Sequence, residues 1–320
     1  MLDNLLHVLA DGAFHSGSEL GRALGISRSA VWKHMQRLQE LGVEVYSVKG
    51  RGYRIPGGLD LLDAIQLQAM LSEGVCSRLE QLMLTIETDS TNTQALEAMQ
   101  AGLGSGLFVA EYQHAGRGRR GRQWVSPLGS SLCFSLAWRF NSGAAALEGL
   151  SLAVGLALQQ ALLREGMVDI GLKWPNDLLV EGAKLGGILI ELSGDAAGEC
   201  QVAIGVGLNV QLPEGVAEQL DQPCTDLLTL GYSGSRTRLL ACVVSELIAM
   251  LERFEASGFA PLRSDWEAVN AFRGREVALS AGSRRYEGIC LGVTDQGGLR
   301  LQTPSGQEVF HGGEMSVRLQ

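Results

Sequence analysis

The hydrophobic positions of the first 60 residues predict three helices followed by a β-hairpin. Ser16 and Glu19 form a capping box that starts the second helix, and Ser27 caps the third. The third helix has an apolar face at helical spacing, formed by Val31, Met35, Leu38 and Leu41. The segment 43–55 then alternates apolar and polar residues around a glycine-containing turn, which is typical of a hairpin. This order predicts a winged helix-turn-helix over residues 1–60.

The remaining chain divides into two further zones. Residues 61–270 mix apolar strand-like runs with helical runs, which predicts a central α/β or α+β domain. The run 147–166 is apolar around most of its circumference, so we expect a buried helix there. Residues 271–320 carry short alternating runs separated by glycines, which predicts a small all-β barrel.

Composition excludes several classes of protein. The chain has 320 residues, of which 46% are hydrophobic and 19% charged, as is typical of a globular protein. We see no signal peptide, and the longest uncharged stretch, 123–138, is too short for a membrane helix. The six cysteines are scattered without a C-x-x-C, so we expect reduced thiols, a cytoplasmic protein, and no disulfide framework or metal site.

The charge of the chain is unevenly distributed. The net charge is −9, so the chain as a whole does not favour binding to nucleic acid. Residues 27–54, however, are rich in lysine and arginine. A solvated helix face is one interpretation; helix order, glycine placement and the basic hairpin tip favour DNA binding. We expect the major groove to be entered by Arg28, Ser29, Trp32 and Lys33. We expect Lys49 and Arg51 to reach backbone phosphate from the wing.

The run 116–122, GRGRRGR, is the sharpest local feature of the sequence. It satisfies G-x-G-x-x-G, but Trp124, Pro127 and Gly129 follow, and they do not build the helix that a dinucleotide site requires. Four arginines on a glycine-rich loop repel one another, and a triphosphate would satisfy them, because guanidinium groups match phosphate oxygens. The alternatives are a solvated basic loop or a second contact with nucleic acid.

Two further motifs carry candidate chemistry. In KWPND, Trp174-Pro175 predicts an extended turn that projects Asn176 and Asp177 into a cleft, with Lys184 at the start of a following strand. An ordinary surface turn with an ion pair is the alternative. In DSTN, the residues Ser90, Thr91 and Asn92 lie at a predicted helix start, where a simple N-cap is the better interpretation in isolation.

Taken together, these motifs resemble the bacterial bifunctional biotin–protein ligases and biotin operon repressors, over residues 1–320. The resemblance implies three domains: a winged helix-turn-helix (1–60), a central α/β domain related to class II synthetases (61–270), and an SH3-like barrel (271–320). The overall class is therefore multidomain α+β. It also implies ATP-dependent formation of biotinyl-5′-AMP with Mg²⁺, followed by transfer of biotin to a lysine of the biotin carboxyl carrier protein.

The family's roles can be carried onto matching residues. The resemblance implies that the biotin ring is bound by Ser90, Thr91, Asn92 and Gln113. It implies that the biotin tail, the phosphates and adenine are contacted by Gly116, Arg117, Gly118, Arg119, Arg122, Trp124, Asn176, Lys184, Gly187 and Ile188. Arg119 and Lys184 would neutralise transition-state charge, and Asp177 would orient the acceptor amine or take its proton. The segment 212–223 would fold over the adenylate.

Regulation also follows from the resemblance. The adenylate-bound chain would form a homodimer that presents two winged helices to operator DNA, and no membrane partner is expected. Two alternatives remain open. A transcription factor with a ligand-sensing domain and no catalysis is disfavoured by KWPND and Lys184. A lipoate–protein ligase is disfavoured by the winged helix and the GRGRRG loop.

Overall fold

The structure, a computed structural model, describes residues 2–193, 198–220, 222–281, 284–311 and 315–319. The α-helices are α1 Leu2–Leu9, α2 Gly17–Leu24, α3 Arg28–Glu40, α4 Ala64–Met70, α5 Glu73–Cys76, α6 Thr91–Gln100, α7 Leu150–Arg164, α8 Arg236–Ser257 and α9 Arg263–Ala268. The strands are β1 Tyr46–Val48, β2 Gly52–Arg54, β3 Gln81–Thr88, β4 Gly106–Gln113, β5 Ser131–Phe140, β6 Gly171–Lys173, β7 Asp177–Val180, β8 Ala183–Ser193, β9 Cys200–Asn209, β10 Glu276–Ala281, β11 Arg284–Val293, β12 Leu299–Thr303, β13 Gly306–Phe310 and β14 Met315–Leu319.

The N-terminal domain confirms the predicted helix-turn-helix and its caps. The Ser16 side chain accepts from Glu19 N–H and the Glu19 side chain accepts from Ser16 N–H, which completes the capping box. Helices α1 to α3 enclose an apolar core, and β1 pairs with β2 as the predicted hairpin. A bridge between His15 and Tyr53 ties the hairpin to the turn before α2.

The central domain is a mixed sheet. Within the described residues its strand order is β3-β4-β5-β9-β8-β7-β6, with β3 and β4 parallel and the other neighbours antiparallel. Helices α7 and α8 pack together on one face, where the large apolar core lies. Helix α6 packs on the other face. As predicted, α7 is buried over most of its circumference.

The C-terminal domain is β-rich, as predicted, but a closed SH3-like barrel is not confirmed. Among the residues described, its strands form an open sheet in the order β13-β12-β11-β10-β14, which leaves β13 and β14 at the edges. The sheet docks on the central domain through the turn after β11, because Trp174 Nε1 donates to the Gly297 carbonyl at 3.0 Å. The class II synthetase relationship and the domain boundaries stay predictions.

A buried ion pair joins residues 60–62, the linker between the N-terminal domain and the central domain, to the central sheet. Arg236, at the start of α8, lies 2.7 Å from Glu111 on β4, and both side chains are 1% exposed. The Arg236 guanidinium also donates to the Asp60 carbonyl, and Glu111 accepts from Leu62 N–H at 2.7 Å. Removing one partner of such a pair leaves an uncompensated buried charge and costs about 3–5 kcal/mol. The linker is therefore a fixed part of the core.

The cysteines and the helices can be compared with what the composition predicted. All six cysteines are free, in accord with the expectation of reduced thiols. In the described ranges, every helix is too short or too polar to cross a bilayer.

Candidate active site

Small residues line up across the α6 face of the central sheet. The register places Ser135 opposite Gly205, and places Gly207 opposite Gly187 and Gly187 opposite Asp177. Residues two apart on a strand face the same side, so these rows are neighbours on one face. Together they make a shallow floor, because glycine leaves space above the backbone.

The side chains of Asn92 and Trp124 fill the space above two of these glycines. A Cβ at position 205 would lie 2.3 Å from Asn92 Oδ1, and a Cβ at position 207 would lie 2.4 Å from the Trp124 ring. Real Cβ atoms do not approach other heavy atoms so closely, so the positions of Asn92 and Trp124 require glycine at both places. The indole Nε1 of Trp124 is buried without a hydrogen-bond partner among the described atoms.

The DSTN segment forms the polar end of the site. Ser90 occupies the N-cap position of α6, which confirms the predicted helix start, but its side chain makes no capping hydrogen bond. Thr91 N–H donates to Gln113 Oε1 at 2.9 Å. Asn92 Oδ1 lies 2.5 Å from the Ser135 hydroxyl. Buried hydrogen bonds between side chains hold the orientation of polar groups, so this end is preorganised.

The arginine run 116–122 forms a compact loop between β4 and β5, here called the arginine loop. Gly118 N–H donates to the Arg122 carbonyl at 2.7 Å, and Trp124 N–H donates to the Gly116 carbonyl at 2.8 Å. Arg120 has φ 61° at the tip, and only a single short 3-10 turn forms, Arg119–Gly121. The absence of an α-helix in residues 116–130, all of which are described, agrees with rejecting the dinucleotide fingerprint.

The arginines of this run point to different partners. Arg119 NH1 donates to Asn176 Oδ1 at 3.2 Å, so it crosses the cleft to the KWPND turn. Arg117 instead donates to Thr93 at 2.9 Å and lies 3.0 Å from Glu191 on β8. In this arrangement Arg117 holds the loop to the sheet, whereas Arg119 faces the centre of the cleft.

KWPND forms a tight hairpin turn between β6 and β7, with a cis bond between Trp174 and Pro175. The Asp177 carboxylate lies 2.6 Å from Lys184 Nζ and 2.8 Å from Lys173 Nζ. The turn is fixed to β8, since Asn176 Nδ2 donates to the Ile188 carbonyl at 2.7 Å. As predicted, Asn176 and Asp177 face a cleft, and Lys184 lies near the start of a strand.

Burial and charge act in opposite directions on this cluster. Burial raises the pKa of Asp177, but the attraction of Lys184 and Lys173 lowers it by a larger amount. The pKa of Asp177 therefore lies below its ordinary value of 3.8. Asp177 is therefore ionised at neutral pH. Burial lowers the pKa of Arg119, against the opposing effect of Asp177. A guanidinium remains charged nonetheless, so the cleft keeps its positive groups.

The residues of the floor, the arginine loop and the KWPND turn surround a cavity of about 360 Å³. Every predicted small-molecule site residue lines it except Gly116, which is buried beneath the Trp124 backbone. Ile188 lies on the opposite face of β8: its Cδ1 would be 3.6 Å from a Cβ at Gly155 on α7. Ile188 reaches the site through its backbone, which pairs with Asn176.

The cavity also includes residues that the sequence reasoning did not assign. They are chiefly Arg120, Lys173, Gly205, Gly207, Asn209, Cys224 and Arg318. The alternation of glycines in "IGVGLNV" placed Gly205 and Gly207 on one face of a strand and was a usable signal. Arg318 comes from β14 of the C-terminal domain, and nothing in its local sequence indicated a place beside the cleft.

The segment 212–223 contributes its last part to the site. Leu220 and Gln222 line the cavity, and the Pro223 carbonyl accepts from Lys184 N–H at 2.8 Å. Asp221 lies outside the described residues. The predicted role of this segment over an adenylate stays a prediction.

The residues predicted to bind DNA lie on α3 and on the turn between β1 and β2. All six are exposed: Arg28, Ser29, Trp32, Lys33, Lys49 and Arg51. Trp32 is 54% exposed, which is unusual for a residue of this size. The Arg51 guanidinium stacks 4.1 Å from the centre of the Phe14 ring, so the wing arginine is held by a cation–π contact.

Each of the three regions of the chain matches a known protein family or domain. Residues 84–209 match the biotin/lipoate A/B protein ligase family, residues 2–54 match an HTH domain, and residues 272–318 match the biotin protein ligase C terminal domain.

Relatives are similar over most of the chain, and one of them over nearly all of it. The bifunctional ligase/repressor BirA of Escherichia coli is 40% identical over 98% of this chain and 96% of its own length. The biotin–[acetyl-CoA-carboxylase] ligase of Paracoccus denitrificans is 36% identical over 71% of this chain and 97% of its own. The structure of the biotin protein ligase from Aquifex aeolicus in complex with biotin and ATP matches with a TM-score of 0.66, at 28% identity over 76% of this chain and 100% of that one.

The glycine floor generates a direct test. In Gly207→Ala the new Cβ displaces the Trp124 indole, so we expect increased quenching of tryptophan fluorescence by acrylamide. We expect a loss of about 1–3 kcal/mol in the free energy of unfolding by urea. Gly74→Ala is the control, since its Cβ would meet only Ser72 Oγ, at 3.9 Å. Equal quenching and stability in Gly207→Ala and wild type would contradict the role of the floor.

Proposed function

This chain belongs to the family of bifunctional biotin ligase/repressors, and from that premise we propose that it activates biotin with ATP and then transfers it to a lysine of the biotin carboxyl carrier protein of acetyl-CoA carboxylase. The observation that carries the proposal is the cavity itself. A neutral polar end formed by Ser90, Thr91, Asn92 and Gln113 is joined across a glycine floor to a strongly cationic end. That division suits a molecule with an uncharged polar ring and an anionic tail.

Biotin fits the polar end by hydrogen-bonding chemistry. Its ureido ring carries two N–H donors and one carbonyl acceptor in a fixed plane. Ser90, Thr91 and Gln113 supply hydroxyl and amide groups to one end of the cavity, and the N–H and hydroxyl of Thr91 both donate to Gln113 Oε1. Glycine at 187 and 207 admits the Lys184 ammonium and the Trp124 indole close to the sheet, and both groups border the cavity into which the aliphatic tail would extend.

The cationic end suits the activation step. The biotin carboxylate oxygen attacks the α-phosphorus of ATP, the bond to the bridging oxygen breaks, and biotinyl-5′-AMP and pyrophosphate form. Both reactants are anionic, so the barrier is largely electrostatic. Arg119 and Lys184 lie on two sides of the cleft, where they neutralise charge on the carboxylate and the phosphate. Asn176 holds Arg119 in that orientation.

The transfer step requires a neutral acceptor amine. The lysine nitrogen attacks the acyl carbon of the mixed anhydride, AMP leaves, and the amine loses a proton. Asp177 lies in the cleft, but two lysines hold its pKa below the ordinary value. A carboxylate with a low pKa is a weak base, so we favour orientation of the amine by Asp177 over acceptance of its proton.

Magnesium would enter with ATP. In the part of the chain that the structure describes, three or more His, Cys, Asp or Glu side chains nowhere gather into a possible metal site. The charged side chains that line the cleft are cations apart from Asp177 among the described residues, which fits an ion carried by phosphate oxygens rather than by protein ligands. When bound, the ion adds further neutralisation of the phosphate charge.

Release of pyrophosphate tests the ligase proposal. We expect the chain to release pyrophosphate from ATP with biotin and to release much less with lipoate under the same conditions. Addition of the carrier protein should yield biotin attached to a lysine, read by mass spectrometry. Release with neither acid would support a sensor without catalysis, and a preference for lipoate would support the lipoate ligase alternative.

The arginine loop predicts retention of the intermediate. In Arg119→Gly we expect biotinyl-5′-AMP to dissociate about 10- to 100-fold faster, because one charge-assisted hydrogen-bond donor to the phosphate is lost. Pulse–chase filtration measures the retained intermediate. Arg78→Gly is a control that removes an exposed arginine paired with Glu252, far along the chain from the loop. Retention equal to wild type in Arg119→Gly would refute the role of this arginine.

We propose that the adenylate-bound form is a homodimer that represses biotin biosynthesis genes. The exposed residues on α3 and the wing support DNA binding, because they present base-reading and phosphate-reading groups together. The second half of β8 supports dimerisation. β7 pairs with β8 only from Ala183 to Gly187, so residues 189–193 continue as a strand edge on that side within the described chain. Leu192 in this segment is 53% exposed.

The same segment touches the arginine loop. Glu191 on β8 accepts from Asn92 Nδ2 at 2.6 Å and lies 3.0 Å from Arg117. A ligand that reorders the loop therefore acts on a residue of the open edge. This contact supports a link between adenylate binding and dimer formation.

A gel shift tests the regulatory half. The probe is duplex DNA from upstream of the organism's biotin biosynthesis genes, and we expect retardation only when biotin and ATP are both present. Lys33→Ala should weaken retardation at least tenfold, because it removes a cation facing DNA, while pyrophosphate release is unchanged. Retardation that is independent of biotin and ATP would contradict ligand-controlled repression.

A further inference from the structure

Glu87 lies where the DNA-binding domain meets the active-site frame. It is on β3, directly before the segment that leads into DSTN. Its Oε2 is 2.6 Å from Arg37 on α3, the predicted DNA-recognition helix, and 3.1 Å from His114 Nε2. His114 directly follows Gln113, so one carboxylate oxygen contacts both the recognition helix and the strand end that enters the arginine loop.

The backbone around Glu87 ties these segments together. His114 N–H donates to the Thr88 carbonyl, and Ala115 N–H donates to the Asp89 carbonyl, both at 2.9 Å. The approach to DSTN and the start of the arginine loop therefore move as one unit. Because Glu87 is on this unit, its ion pair with Arg37 fixes the unit against α3.

The far side of the arginine loop is anchored on the same part of the DNA-binding domain. Leu128 N–H donates to the Leu41 carbonyl at 3.1 Å, just beyond the end of α3. A Cβ at Gly42 would lie 3.0 Å from Pro127 Cβ, so the two chains are in direct contact. Leu128 is also buried in the core of the N-terminal domain. The chain segments on both sides of the arginine loop, before residue 116 and after residue 126, are thus anchored near the C-terminal end of α3.

We propose that Glu87 is a positioning residue for the ligase reaction: by pairing with Arg37 and His114 it holds the first flank of the arginine loop against the DNA-binding domain, and so slows the release of the acyl-adenylate. The inference rests on the proposed function, since it concerns retention of that intermediate. Glu87 does not line the cavity, so it acts through the loop and not on the substrate.

The charges around Arg37 favour this role over a contact with DNA. The hydrogen bond to Glu87 is the largest of the effects that raise the pKa of Arg37, followed by that to Glu40. A guanidinium committed to two carboxylates presents little charge to phosphate. Arg37 also lies one turn or more beyond Lys33, away from the N-terminal end of the helix that enters the groove.

A double-mutant cycle tests the proposal in the full-length chain. The variants are Arg37→Gln, Glu87→Gln, the combined variant, the conservative Arg37→Lys, and Glu40→Gln as the matched control. Glu40→Gln removes the other partner of the same guanidinium but leaves Glu87 in place. Release of biotinyl-5′-AMP is followed by pulse–chase filtration, and the midpoint of urea unfolding is measured in parallel.

We expect Arg37→Gln and Glu87→Gln to release the intermediate about 3- to 10-fold faster than wild type. The combined variant should be no faster than the more affected single variant, because both changes remove one contact. Arg37→Lys should lie closer to wild type, and Glu40→Gln should equal it, with unfolding midpoints similar throughout.

Three results would overturn the inference. The first is release at the wild-type rate in both single variants, and the second is effects that add in the combined variant. The third is faster release that follows the unfolding midpoint across all variants, since it would indicate a merely structural role. A wild-type chain that forms no retained intermediate would instead overturn the proposed function, and this inference with it.

Discussion

The site depends on one carboxylate, Asp177, that lies beside several cations among the described residues of the cleft. Asp177 accepts from Lys173 and Lys184, while arginines of the loop line the same cleft. Like charges held this close repel one another strongly where water is partly excluded. One aspartate orders the two lysines but leaves the cleft with excess positive charge. The arrangement is therefore complementary to a polyanion, such as the phosphates of a nucleotide.

The shape of the cleft follows from a second constraint, the absence of side chains along one part of the sheet. The register aligns Ser135 with Gly205, and aligns Gly207 with Gly187, on the face that α6 covers. The opposite face carries the large apolar residues that pack on α7 and α8. The same strands thus support a dense core on one side and a binding surface on the other, because successive residues alternate between the two faces.

Polar contacts join the domains around this sheet. Arg236 and Glu111 fix the linker, Trp174 docks the C-terminal domain beside the KWPND turn, and Arg37 pairs with Glu87 at the DNA-binding domain. Each contact lies within a few residues of a segment that forms the cleft. These contacts connect the segments of the cleft to the other domains through short, directly bonded routes.

The sequence by itself determined the local elements and the chemistry of the site. A capping box, a helix cap and hairpin alternation depend on neighbouring residues, so the helix-turn-helix was predictable. The arginine run, KWPND and DSTN identified many of the residues that line the cleft. Tertiary structure alone decided which side chain faces which partner. It turned Ile188 away to α7, directed Arg117 to Glu191, brought Arg318 to the cleft, paired both lysines with Asp177, and left the C-terminal sheet open in the described residues. These outcomes depend on strand register and domain docking, which join residues far apart in the chain and leave no periodic trace in the local sequence.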